Sequence, residues 1–301
     1  MPLHPYRTAG YGRTFGDLFP VHVSGTVAVG WLKRPIPETD TFDLAGPYPC
    51  LSVSDHRALA DEVMSLRGTG AVSVVFVTSA FEESSVARDL ARLTICRPFK
   101  THYLVRFDRP WREHLSAHHA RELQRAARNG VEIRIFATNE GYADTFWPLY
   151  EVLIARHGIA GIQALGPQIV AAQFGLPGML AIEAVLGGEV IASSIWAHDD
   201  REAHLHLHAQ TERAYRLCAG YLLYEAALDH FSTRLAQVDL GGAAGLADRM
   251  DDGLGRFKRG WSNAMAQTYL CGEILDEDCY RALTEARGAA HSAFFPQYRS
   301  P

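Results

Sequence analysis

Apolar and polar residues alternate along the chain with two periods, which predict strands and helices in turn. The apolar run at 71–77 is typical of a buried strand. Segments that begin at Met179, Glu189 and Glu202 predict three consecutive antiparallel strands joined by Gly-Gly and Asp-Asp turns. Apolar residues at helical spacing predict helices at 54–66, 82–93, 111–129, 140–156, 166–174 and 217–231. The expected fold class is therefore α/β (α+β).

The same succession of strand, loop, helix and strand appears near 21–77 and again near 179–240. We interpret it as a weak internal duplication and predict two similar mixed-sheet halves, residues 1–140 and 141–301, packed together. With 301 residues and 48% apolar composition, the chain is long enough to bury such cores. The tail from Glu285 is expected to be peripheral.

The five cysteines are widely spaced and form no CxxC pair, so we expect reduced thiols with neither a disulfide framework nor a zinc site. No run approaches the roughly 20 apolar residues of a membrane span, and the N-terminus lacks the core of a signal peptide. These features predict a cytoplasmic protein.

The net charge of −5 argues against general affinity for nucleic acid, but the charge is uneven. Residues 88–134 contain eleven Arg and Lys against five Asp and Glu. Two interpretations stay open for this region: solvated helix faces, or a basic footprint for RNA or phosphate whose binding depends on salt.

Residues 238–261 carry the strongest chemical signal. A short apolar run ends at Gly241 and Gly242, and Phe257 and Lys258 follow between two further glycines. Glycines let backbone N–H groups approach a ligand closely, and a lysine beside them can neutralise an oxyanion or a phosphate. The sequence predicts a buried strand that leads into a glycine-framed loop with one prominent cation.

This segment resembles the end of the catalytic domain of the Fem-type (FemABX-like) aminoacyltransferases, a group within the GNAT superfamily, in which a DFGG strand end precedes GL, FK and GF. The matching residues are Asp239, Leu240, Gly241, Gly242, Gly253, Leu254, Phe257, Lys258, Gly260 and Trp261. Trp261 replaces the family's usual phenylalanine, and Ser262 and Asn263 replace the two glycines beyond it. The AGPY turn at 45–48 and the basic helix before Gly130 are also similar to family segments.

The resemblance implies a GNAT-type fold in both halves, with the acceptor side in residues 1–140 and the acyl-donor side and catalytic loop in 141–301. It implies Lys258 as the catalytic cation, because attack of an amine on an ester develops negative charge on the carbonyl oxygen. Asp239 is the second predicted catalytic residue, which orients Lys258 or receives a proton, or else only hydrogen-bonds the following turn. Phe257 and Trp261 are assigned to substrate binding together with the glycine pair.

In a GNAT fold the donor meets the exposed amides at the start of the helix at 217–231. Arg216, Ala219 and Gly220 form a degraded version of the acyl-CoA signature, in which the first glycine is missing. We assign Tyr215, Arg216 and Gly220 to substrate binding, with close helix packing as the alternative role of Ala219 and Gly220.

His204, His206 and His208 alternate with leucines, so regular strand geometry places the three imidazoles on one face. One interpretation is a polar sheet face. Another makes His208, nearest the donor loop, the base that takes the proton of the acceptor amine. Adjacent strand positions rarely converge on one ion, so we predict no metal site.

We expect an acyltransferase that forms an amide bond by direct attack of an acceptor amine on an activated aminoacyl group, without a cofactor. The resemblance implies aminoacyl-tRNA as the donor and a small molecule (natural product) or a peptidoglycan precursor as the acceptor. The alternatives are an N-acetyltransferase that uses acetyl-CoA, and a non-catalytic GNAT-fold binding or resistance protein.

Overall fold

The computed structural model describes residues 3–16, 21–24, 29–82, 86, 88–159, 161, 164–243, 245 and 252–300. The chain divides into two compact units, Met1–Pro5 with Lys100–Ala266 (unit 1) and Tyr6–Phe99 with Gln267–Pro301 (unit 2). This division differs from the predicted boundary between 140 and 141. Strands far apart in sequence pair within each unit, which the local pattern of residues does not reveal.

The predicted fold class is confirmed, since strands and helices alternate along the chain. The strands are β1 (Val21–Ser24), β2 (Val29–Pro35), β3 (Phe42–Ala45), β4 (Ala71–Val77), β5 (Ile95–Arg106), β6 (Glu132–Ala137), β7 (Met179–Leu186), β8 (Glu189–His198), β9 (Glu202–Gln210), β10 (Gln237–Gly242) and β11 (Ala264–Ile274). The helices are α1 (Ala9–Arg13), α2 (His56–Ser65), α3 (Ala117–Ala126), α4 (Ala143–His157), α5 (Pro167–Phe174), α6 (Glu212–Arg216), α7 (Ala219–Ser232), α8 (Gly253–Arg259) and α9 (Glu277–Ala286).

Unit 1 contains a mixed sheet in the order β5-β10-β9-β8-β7-β6. The three predicted antiparallel strands are present as β7, β8 and β9. β10 runs parallel to β9 and antiparallel to β5. Helix α7 packs on β7, β8 and β10, and α4 packs on β8 and β9. The core beside α7 contains Trp196, Leu223, Phe231, Val238 and Trp261, which are all buried.

Two predicted helices of unit 1 are interrupted. The segment predicted as one helix at 111–129 is a 3₁₀ turn at Trp111–His114, then α3, then a second 3₁₀ turn at Ala127–Asn129. Ser116 begins α3 by accepting a hydrogen bond from His119 N. The segment predicted at 217–231 begins only at Ala219, because Cys218 adopts a left-handed conformation with φ of 56°. Among the described residues, no helix combines the length and apolarity needed to cross a membrane.

Unit 2 contains a sheet in the order β1-β2-β3-β4-β11. The sequence pattern missed β3 and β11, and the helix predicted at 82–93 lies partly outside the described residues. The C-terminal tail is not peripheral to this unit. Buried Asp43 accepts hydrogen bonds from Tyr298 Oη at 3.2 Å and Arg299 Nε at 2.5 Å, which fixes the tail to β3.

Candidate active site

The parallel strands β9 and β10 part beside the glycine pair. Their pairing runs from Gln237↔Glu202 to Asp239↔His204, after which β9 continues to Gln210. β10 instead stays paired with β5 through Gly242↔His102, across a register shift that follows Asp239. The strand end therefore leaves one side of the glycine pair open for other groups.

Gly241 turns the chain at this strand end. It has φ of +78°, a backbone conformation that residues with a side chain rarely adopt. Its N–H donates a hydrogen bond to Asp239 Oδ1 at 2.7 Å. A Cβ atom at Gly241 would lie 3.0 Å from Lys258 Nζ, and one at Gly242 would lie 3.2 Å from His102 Cδ2. Both glycines thus permit the close approach of a charged or titratable side chain.

Lys258 lies in helix α8, which corrects the prediction of a loop. Asp252 begins this helix by accepting a hydrogen bond from Gly255 N. The Lys258 side chain is buried, at 7% exposure, and Nζ donates to Gly242 O at 2.7 Å. Burial lowers the pKa of Lys258 to about 8; Asp239 and Asp252 oppose the shift, and Lys100 adds to it.

Helix α8 is held by His119 of α3. His119 Nε2 donates to Phe257 O at 2.8 Å, and Nδ1 accepts from Ser116 Oγ at 2.8 Å. A Cβ atom at Gly260 would collide with the ring of His119. Phe257 also packs against Tyr221 and Tyr224, with ring centroids 5.0 and 4.9 Å apart. Phe257 and Trp261 therefore belong, with Tyr221 and Tyr224, to an aromatic cluster that packs against α8 and so helps to position Lys258.

His102 and Asp239 form a hydrogen-bonded pair next to the glycine pair. His102 Nδ1 lies 2.7 Å from Asp239 Oδ2. Asp239 is buried; burial raises its pKa, but His102, His204 and Gly241 N together outweigh that effect and lower it. The ionised carboxylate only accepts hydrogen bonds, so Nδ1 carries a proton that it donates to Asp239; in the neutral ring with this tautomer, Nε2 has the lone pair. The His102 side chain is 18% exposed and can be reached from solvent.

Sequence reasoning missed His102. The strand that ends at Gly242 was predicted, but the contact of its Asp239 with His102 joins residues 137 positions apart. The signals in the sequence were the histidine itself and an aspartate, Asp239, at the end of a predicted strand. Only the register of β5 with β10 brings the two side chains together.

The three histidines of β9 do not share one face, contrary to the prediction. The register of β8 with β9 shifts between Ile195↔Leu207 and Trp196↔Leu205, so β9 contains an extra residue there. Such a β-bulge reverses the alternation of side chains. His206 therefore bonds Gln173 of α5 at 2.9 Å, whereas the ring of His208 lies 5.9 Å from that of Tyr224 in α7.

His208 is close to the candidate site but is a weak base. Burial, and to a smaller extent the neighbouring Lys258 cation, together lower the pKa of His208 to about 4. Its Nδ1 atom is buried. The predicted role of His208 as the base remains a hypothesis, and His102 is the better-placed imidazole.

Two histidines of β9, the buried His206 and the half-buried His208, are expected to make the protein sensitive to acid. Burial lowers the pKa of His206 to about 3 and that of His208 to about 4. In the unfolded chain a histidine binds a proton near pH 6.5, so between pH 6.5 and about 4 the unfolded state binds more protons. The free energy of unfolding should fall as the pH drops through this window, by up to about 1.4 kcal/mol per pH unit for each histidine.

Urea denaturation at pH 7, 6 and 5 checks this expectation. The His206→Asn variant should show a shallower loss of stability between pH 6.5 and 4 than the wild type. Identical pH dependence in the two proteins would contradict the assignment.

The structure does not bring all predicted donor residues to Lys258. Tyr215 and Arg216 are exposed in the last turn of α6, and Arg156 of α4 lies 4.8 Å over the ring of Tyr215. Gly220 is buried in the first turn of α7, where a Cβ atom would lie 3.2 Å from Gln210 Oε1. The described residues contain no cluster of three or more His, Cys, Asp or Glu side chains placed to hold a metal ion.

A cation and an imidazole thus both lie next to Gly242. Lys258 can stabilise negative charge that develops on an oxygen, and the pair of His102 and Asp239 can take a proton from a nucleophile. Because Lys258 is only 7% exposed, its charge is little screened by solvent. This combination suits transfer of an acyl group to an amine.

Comparison with known proteins shows which solved structures share this fold. No protein-family model matches the sequence, and no curated protein matches it. The C-terminal domain of a protein assigned as a lysylphosphatidylglycerol synthetase from Agrobacterium fabrum is similar with a TM-score of 0.61 at 17% identity, over 96% of this chain and 94% of that one. FemX is similar with a TM-score of 0.63 at 11% identity, over 94% of this chain and 98% of that one. L-PGS from Bacillus licheniformis is similar with a TM-score of 0.56 at 10% identity, over 91% of this chain and 94% of that one. These likenesses show that the chain has the fold of FemX and of these two proteins, in agreement with the expected fold class.

Proposed function

We propose that the protein is an aminoacyltransferase that moves an aminoacyl group from aminoacyl-tRNA to an amine. The observation that carries the proposal is the placement of Lys258 and His102 next to Gly242, at the open end of a parallel strand pair. The acceptor is a small molecule (natural product) or a peptidoglycan precursor. Because charged tRNA is cytoplasmic, we propose the same location for the protein.

The reaction proceeds by direct attack. The acceptor nitrogen adds to the ester carbonyl, and the Lys258 ammonium stabilises the oxyanion that forms. His102 Nε2 takes the proton that the nitrogen loses, while Asp239 holds the ring in the required tautomer and stabilises its charge. The bond from the carbonyl carbon to the ribose oxygen then breaks, and that oxygen receives the proton. The products are an amide and uncharged tRNA.

A feature at the start of α7 favours tRNA over acyl-CoA. An acyl-CoA pyrophosphate would occupy the amides at this helix terminus in a GNAT fold. Here Cys218 Sγ lies 3.0 Å from the carboxylate of Glu122, which introduces negative charge at that place. Like charges repel, so a pyrophosphate is disfavoured there. The missing first glycine of the acyl-CoA signature supports the same choice.

The basic region contributes fewer free cations than its composition suggests. Within 88–134, ion pairs occupy five arginines, Arg88, Arg92, Arg112, Arg125 and Arg134. Arg121 of α3 and Arg128 beyond its end are exposed, and the described part of the chain provides neither with an ion pair. They are candidates for contacts with tRNA phosphates.

Reversing the charge at both positions should weaken tRNA binding. Arg121→Glu/Arg128→Glu is expected to raise the Kd for tRNA by about tenfold in 0.1 M salt and to reduce the slope of log Kd against log salt by about 1.5. Filter binding across a salt series measures both quantities. Arg201→Glu, a single reversal at the turn between β8 and β9, serves as the control. A slope equal to that of wild type would remove this surface from the tRNA site.

A donor assay tests the function itself. The protein is incubated with a set of amines, including a peptidoglycan-precursor pentapeptide, and with either radiolabelled aminoacyl-tRNA or radiolabelled acetyl-CoA. We expect labelled amide only from aminoacyl-tRNA, and none after ribonuclease treatment of the donor. Product from acetyl-CoA that resists ribonuclease would make the protein an N-acetyltransferase. Binding without product from either donor would indicate a non-catalytic protein.

A further inference from the structure

Two buried polar atoms beside the candidate site have no hydrogen-bond partner among the residues that the structure describes. They are His208 Nδ1 and Gln210 Oε1, both near the end of β9. Most buried polar atoms in folded proteins are paired, so two unpaired atoms in one place point to a ligand.

Both side chains point to the same face of β9. The β-bulge near His206 turns His208 towards α7, and Gln210, two residues further, follows it. The ring of His208 lies 5.9 Å from that of Tyr224, and Gln210 Oε1 lies 3.2 Å from the Cβ position of Gly220. Along a strand, residues i and i+2 are about 7 Å apart. The two atoms therefore line one stretch of the strand that β10 leaves unpaired.

The candidate site is next to this stretch. Lys258 is the charged group that acts on His208, where its positive charge disfavours protonation of the ring. The imidazole is therefore neutral at pH 7, and with its proton on Nε2 the Nδ1 atom accepts hydrogen bonds. The Oε1 atom of Gln210 also only accepts. The complement of two such acceptors is a group with at least two N–H or O–H donors.

We propose that His208 Nδ1 and Gln210 Oε1 receive the α-amino group of the amino acid that the donor carries. This nitrogen offers two or three N–H donors and is separated by one carbon from the carbonyl whose oxygen Lys258 stabilises. An acetyl group offers no donor in that position. The inference rests on the proposed function and gives it a means of selecting aminoacyl over acetyl donors, because a site built for an N–H group rejects a donor that lacks it. His208 then acts in recognition, and His102 acts as the base.

Blocking the amino group tests the proposal. Bulk tRNA charged with a mixture of radiolabelled amino acids is used in two forms, with amino groups free or acetylated by acetic anhydride, and filter binding gives a Kd for each. The wild type should bind the free form about tenfold more tightly. Gln210→Leu and His208→Phe should each reduce this preference to about twofold or less. The control Gln237→Leu makes the same change of glutamine to leucine at the first residue of β10. It should keep the wild-type preference for the free amino group.

A conservative variant separates recognition from damage to the fold. In His208→Asn the amide oxygen takes the place of Nδ1, so this variant should retain most of the preference for the free amino group. A wild-type preference in Gln210→Leu would overturn the inference, as would its loss in the control Gln237→Leu. If the protein transfers aminoacyl groups but binds donors with free and acetylated amino groups equally well, the inference fails and the proposed function stands. If it neither binds nor uses either form, both fail.

Discussion

Replacing Lys258 by methionine is expected to lower kcat for acyl transfer by about 10²–10³-fold while the acceptor KM changes little. The oxyanion forms in the transition state and not in the bound substrate, so the lost cation raises the barrier rather than weakening binding. Initial rates across a range of acceptor concentrations separate the two constants. Above about pH 8 the wild-type rate should also fall, because Lys258 loses its proton there.

The same substitution is expected to stabilise the protein. Burial lowers the pKa of Lys258 from 10.5 to about 8, so the folded state binds this proton less tightly than the unfolded state does. Below pH 8 the buried charge costs about 3 kcal/mol, and the cost declines as the pH rises from 8 to 10.5. Methionine removes the charge and also the hydrogen bond to Gly242 O, which leaves a net gain of about 1–2 kcal/mol at pH 7.

Lys33→Met in unit 2 is the matched control, with activity unchanged. Denaturant unfolding at pH 7 and pH 10 should show the stability gain of Lys258→Met shrinking at the higher pH. A variant with wild-type kcat would remove Lys258 from the chemistry. A variant that is inactive and also destabilised would assign Lys258 to the fold instead.

Replacing His102 by glutamine is expected to lower kcat by about 10²–10⁴-fold, since it removes the group that accepts the proton of the acceptor. Glutamine puts a non-basic amide near the position of Nε2 and fills much of the space of the ring, so the fold should survive although the hydrogen bond from Nδ1 to Asp239 is lost. The acceptor KM should change little, because His102 takes up the proton during the reaction and does not hold the bound acceptor.

His198→Gln, the same change at the end of β8, should leave kcat intact. If His102→Gln kept the wild-type kcat, His102 would not be the base. A fall in kcat in His208→Asn as large as that in His102→Gln would move the role to His208.

The sequence predicted the parts of this site that lie close together along the chain. The strand end at Gly241 and Gly242 and the later Lys258 form a local pattern, and a helix can carry the lysine back to the glycines. The three strands from Met179 were equally readable, because each alternates regularly and ends in a tight turn.

The rest depends on contacts that no local pattern encodes. His102 meets Asp239 only through the pairing of β5 with β10, and β11 joins unit 2 only through its pairing with β4. The bulge in β9 inserts one residue and so reverses the face of His208. A bulge of this kind leaves the alternation of apolar residues in the sequence almost unchanged, so regular strand geometry assigned the wrong face.

The central claim is that Lys258 and His102, which both lie next to Gly242, act on one transition state. A double-mutant cycle measures this directly, with single-turnover transfer from radiolabelled aminoacyl-tRNA by wild type, Lys258→Met, His102→Gln and the double variant. Groups that act as a unit are strongly non-additive, so the double variant should be no more than about tenfold slower than the slower single variant. Effects that multiply in full, or a single variant with the wild-type rate, would contradict the claim.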